Sequence, residues 1–73
     1  MAYRIIDNPS NEQTDEIQFW FIYNVSEKKV ISPIVQVSGY TSSPHRMVIS
    51  DTKEELVDYI NDNQLIDDFD ENL

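Results

Sequence analysis

Cysteine is absent from this chain, and glycine and histidine occur once each. Without cysteine there is no disulfide, no thiolate metal site and no cysteine nucleophile, which fits a reducing compartment. A single glycine, Gly39, excludes the glycine-rich loops that cradle phosphates. The lone histidine, His45, stands beside Arg46 at the start of a strand candidate with no second imidazole to share a metal, and reads as a surface residue. Ser42 and Ser43 have no base with an orienting partner to activate them. The run Asp67-Asp68-Phe69-Asp70-Glu71 has the acidity of a calcium loop but neither its central Gly nor its twelfth-position Glu. No catalytic residue, cofactor or metal ion is therefore expected. Long apolar runs are missing too. No window approaches the ~20 residues of a membrane span, and Met1-Ala2-Tyr3-Arg4 is not followed by the apolar core of a signal peptide. A cytoplasmic protein is expected.

Positive charge is the other scarcity. Five Lys and Arg face 14 Asp and Glu, for a formal net charge of −9. Residues 1–50 hold five acids and four bases, whereas residues 51–73 hold nine acids and only Lys53. Direct binding to nucleic acid or to an anionic membrane requires basic surface and is excluded as an expectation. A basic protein partner stays open, as does a face that merely keeps the chain soluble.

The richest stretch is Ile17-Gln18-Phe19-Trp20-Phe21-Ile22-Tyr23-Asn24-Val25, β-branched and aromatic without Gly or Pro. It reads as a strand whose odd positions form one apolar face, while Trp20 and Ile22 interrupt an otherwise polar second face. Ser26-Glu27-Lys28-Lys29 breaks the pattern, and a second strand is expected from Val30 to about Ser38. Pairing Val25 with Ile31 would set Tyr23 against Pro33, Phe21 against Val35 and Phe19 against Val37, keeping one face wholly apolar. Pro33 cannot donate to a ladder and marks an edge or an unpaired stretch. Tyr3-Arg4-Ile5-Ile6 is a short edge-strand candidate and His45-Arg46-Met47-Val48-Ile49 a further strand. Ser50 or Asp51 can cap a helix that runs to about Asn63, with D-x-x-E and T-x-x-E spacings and an apolar stripe of Leu56, Tyr59, Ile60 and Val57. Residues 64–66 would then return to the sheet. The expected fold is α+β: a three- to four-stranded antiparallel sheet, one C-terminal helix on one face, and an acidic tail over 67–73. One domain spans residues 1–73, small enough to bury only about 60% of its unfolded surface.

Two surfaces remain after this assembly. One helix covers one sheet face, so Trp20, Ile22 and Ile34 are expected on the other. There either Leu65, Ile66 and Phe69 or the N-terminal segment folds over them, or they meet a second copy or a partner. The second surface is acidic. Glu54, Asp58 and Asp62 recur at i, i+4 and i+8, flanked by Asp51 and Glu55 and continued by Asp67, Asp68, Asp70 and Glu71. The helix dipole favours acids in the first turn, not those near the last. Carboxylates about 6 Å apart along a rod resemble the charge row of a phosphate backbone.

Three strands followed by a helix opening Asp51-Thr52-x-Glu54-Glu55 resemble the N-terminal half of HicB-type antitoxin domains. The strand order is also similar to that of the small DNA-arm-binding domains of phage integrases. Those domains are basic and this chain is acidic, so their DNA binding is not implied. The expected function is a non-enzymatic inhibitor or modulator of a basic protein such as a nucleic-acid-binding enzyme, acting as a nucleic-acid mimic of the size and charge of phage anti-defence proteins. The alternative is an antitoxin-like subunit that dimerises through its sheet and blocks a partner by apolar contacts.

Overall fold

The computed structural model describes residues 3–7, 18–37 and 45–69. In chain order the elements are β1 (Arg4–Ile6), β2 (Gln18–Asn24), β3 (Lys29–Val30), β4 (Val35–Val37), β5 (Arg46–Ser50) and α1 (Lys53–Asp62). All strand pairs are antiparallel, in the order β1-β5-β2-β3, and β4 lies beside β3 on the same edge of β2. The last strand is thus inserted in the middle, where Phe21 pairs with Val48 and Ile22 with Met47. This is the expected α+β architecture, with β1 as an edge.

The face carrying the odd residues of β2 packs on the helix. Phe21, Tyr23, Val30, Val48, Leu56, Tyr59 and Ile60 form one buried cluster. The stripe on α1 therefore falls as the 3.6-residue period requires. Within it the Tyr23 and Tyr59 hydroxyls lie 2.9 Å apart, Arg46 Nη1 donates to Tyr23 at 3.2 Å, and Arg46 Nε donates to Asp7 Oδ1 at 2.6 Å. The Tyr3 ring meets Tyr59 edge-on at 5.2 Å.

This network has a pH consequence. Burial, then the hydrogen bond to Tyr23, pushes the Tyr59 hydroxyl up to about 12 from 10.0. A raised folded-state value means the contribution is complete below pH 10 and is lost as pH rises from 10 to 12, because only the unfolded chain ionises there. Up to about 2 kcal/mol is at stake. Urea midpoints at pH 9 and 11.5 should differ more for the wild type than for Tyr59→Phe. Equal differences would refute this source.

The hairpin differs from its expected form. Val25 is not part of the strand: it opens the Val25–Lys28 turn and is exposed. Asn24 Oδ1 accepts from Glu27 N at 2.9 Å and Lys28 adopts φ 55°, so the turn takes four residues and supplies its left-handed position without glycine. Tyr23 consequently pairs with Val30, and Phe19 with Gln36, not with Pro33 and Val37. Four residues, 31–34, oppose only Phe21 and Ile22, and the expected single strand splits into β3 and β4 around Pro33. Where the ladder breaks, Ile22 N donates to the Ser32 hydroxyl at 3.0 Å. The odd shift exchanges faces: Val35 now stands opposite Trp20, and Ile34 packs against the helix-side cluster.

The helix ends are locally specified. Thr52, neither Ser50 nor Asp51, is the N-cap, and its hydroxyl accepts from Glu55 N at 3.4 Å. Buried Ser50 donates to the Glu55 carboxylate and accepts from Thr52 N at 3.2 Å. At the other end, Leu65 N donates to Ile60 O and Gln64 N to Asn61 O, the six-to-one and five-to-two bonds of a Schellman motif. Gln64 takes the left-handed position at φ 56°, where glycine is usual. Gln64→Gly is expected to stabilise by about 0.5–1 kcal/mol, raising the melting temperature by roughly 4 °C. A lower melting temperature would mean that Gln64 is held by more than backbone geometry.

The return of residues 64–66 to the sheet occurs, but at the edge. Ile66 forms a parallel bridge to Lys29, exchanging 2.8 Å bonds with Lys28 O and Val30 N. This segment protects the outer side of β3. Leu65 packs on the helix-side cluster, while Ile66 and Phe69 are exposed, and the cluster that holds Trp20 includes none of the three.

Candidate interaction surface

Trp20, Ile22 and Ile34 do not form one exposed patch. Ile22 is 5% exposed within the single chain and clusters with Met47 and Ile49, at 0% and 1%, and with half-buried Trp20 and Ile6. Ile34 belongs to the opposite face for the register reason above. A side chain already removed from water by its own chain gains little from docking. Exposed apolar area lies elsewhere, at Ile5, Val25, Ile31 and Ile66.

The acidic row on α1 is exposed. Glu54, Asp58 and Asp62 lie on the side of the helix away from Leu56 and Ile60, and among the described residues no cation pairs with them. The two ion pairs given by the described residues are Lys29 with Asp68 at 3.6 Å and Arg46 with Asp7. Asp51 is exposed at the head of the row. Glu55 leaves it: half-buried and bound to Ser50, it serves the cap. Asp67 also acts locally, with Oδ1 accepting from Phe69 N at 3.0 Å, although it stays exposed. Asp70 and Glu71 lie outside the described residues.

Sequence reading overlooked one feature near this row. Lys53 Nζ sits 5.8 Å from the centre of the Phe19 ring, beside a groove of about 470 Å³ at the start of α1. The groove joins the start of β2 to the first two turns of α1. No sequence spacing announces it, because Phe19 and Lys53 meet only once β2 and α1 pack.

No described helix is long and apolar enough to cross a membrane. No family model, curated protein or solved structure matches this chain.

Proposed function

We propose that this chain is a non-enzymatic binding protein whose acidic helix face occupies the basic surface of a nucleic-acid-handling protein, as a decoy for the phosphate backbone. One observation carries the reading: Glu54, Asp58 and Asp62 stand in an exposed row that no cation among the described residues pairs with. Like charges at i, i+4 cost a helix about 0.2–0.5 kcal/mol per pair, and α1 has no basic residue in its last turn to offset them. Local stability does not account for such a row, whereas a basic partner would.

Salt and competition test the reading together. Proteins from a cell lysate that bind duplex DNA are passed over the immobilised chain in 50 mM salt. Decoy binding predicts retention, release by free duplex DNA, and loss by about 200 mM salt as screening shortens the reach of each charge. Capture that survives 200 mM salt, or that DNA cannot displace, would point to apolar docking and refute the decoy. Absence of capture would refute it too.

A further inference from the structure

The groove at the head of α1 has an apolar floor and a charged rim. Phe19 and Val57, both half-buried, make the floor, and Asp51, Glu54 and Asp58 share the rim with Lys53. Its size falls within the range of about 300–1,000 Å³ in which proteins hold small groups. The helix dipole alone would favour an anion at this end. Three carboxylates against one ammonium reverse that preference, so the groove selects a cation.

Lys53 shows where the cation sits. Its ammonium approaches the Phe19 ring within the 6 Å over which an aromatic face attracts positive charge. Lys53 is an exposed side chain that makes this one contact among the described residues, and a competing cation can displace it. Arginine suits the site better than lysine. Its flat, weakly hydrated guanidinium stacks on a ring while its forked donors serve carboxylates at the edge.

We propose that this groove receives an arginine side chain of the partner, stacked on Phe19 in the place Lys53 holds in the free protein and paired with rim carboxylates of Glu54 and Asp58. The inference rests on the reading of the acidic helix face as the partner-binding surface. It adds a specific anchor to what would otherwise be a diffuse charge row, and it makes Lys53 an internal competitor.

The probes are fluorescein-labelled hexa-arginine and hexa-lysine peptides, followed by anisotropy in 50 mM salt. Lys53→Ala and Lys29→Ala each remove one positive charge, but only the first vacates the ring. Lys53→Ala should therefore bind hexa-arginine about fivefold more tightly than Lys29→Ala does. Phe19→Leu keeps an apolar floor without a π face, and should weaken hexa-arginine about fivefold and erase its advantage over hexa-lysine. A thermal melt checks that Phe19→Leu folds, and the exposed Lys53 pair decides the matter if it does not. Equal affinities of Lys53→Ala and Lys29→Ala overturn the groove. Asp62→Lys, outside the groove, separates the two levels. If it weakens the peptide while the Lys53 pair stays equal, the acidic surface stands without an arginine anchor. If the wild type binds neither peptide, both fail.

Discussion

Reversing Asp58 and Asp62 to lysine is expected to abolish capture of the basic, DNA-displaced partner and, at the same time, to make the protein more stable. The opposite signs are the point of the experiment. The i, i+4 repulsion of Glu54 with Asp58 becomes an attraction, the repulsion between positions 58 and 62 persists between two lysines, and two cations arrive near the end of a helix that has none in its last turn. The gain should be about 1 kcal/mol, a rise of roughly 4–8 °C in melting temperature for a domain of this size. Each reversal adds two charges, so the net charge moves from −9 to −5. Against a basic groove, each new lysine replaces an attraction by a repulsion, and like charges brought together across an interface cost several kcal/mol. At least a hundredfold loss of affinity in 50 mM salt is expected, about 2.7 kcal/mol. The neutral pair Asp58→Asn and Asp62→Asn should fall between wild type and the reversal. Affinity within threefold of wild type in the reversed protein would leave the row as a solubilising face and sink the decoy.

The row was legible in the sequence because helical period and exposure are local properties. Leu56, Tyr59 and Ile60 mark the buried side of α1 by spacing alone, and the carboxylates at 54, 58 and 62 fall on the side left over. The strands Arg4–Ile6 and Arg46–Ser50 were legible as well, from short apolar runs bounded by polar residues. What sequence spacing missed depended on tertiary choices. The four-residue turn rests on one side-chain hydrogen bond from Glu27 N to Asn24 and on a left-handed Lys28, and no apolar pattern encodes it. Because strand side chains alternate, that difference moved Ile34 and Val35 to opposite faces from those expected. The cap shifted for a similar reason. Ser50 and Asp51 were the expected caps, but Ser50 is buried beneath the helix start and bound to Glu55, and Thr52 caps instead. Insertion of β5 between β1 and β2 gave Met47 and Ile49 a second cluster with Ile22, which burial of one sheet face could not anticipate.

Where β2 ends can be measured with two truncations that sequence pattern alone would rank as equals. Phe21 and Val25 both occupy odd positions of the same apolar run. Phe21 is fully buried on a strand paired on both sides, with the Tyr23 and Tyr59 rings about 6 Å from its own. Removing its ring leaves a cavity walled by the central strands and α1, which cannot all move in to fill it. Phe21→Ala should therefore cost about 3–5 kcal/mol. Stability of about 5–15 kcal/mol is usual for whole domains, and a small one sits near the lower end. The variant is expected to lose roughly 15–25 °C of melting temperature or to be largely unfolded at 37 °C. Val25 is 46% exposed in the turn, and Val25→Ala should change stability by no more than about 0.5 kcal/mol. Urea midpoints give both values. Comparable losses from the two would mean that the strand continues through Val25, and the three-residue loop with its Val25–Ile31 pairing would have to be restored. A large loss from Phe21 alone fixes the end of β2 at Asn24, and with it the odd register that sends Ile34 to the helix side of the sheet.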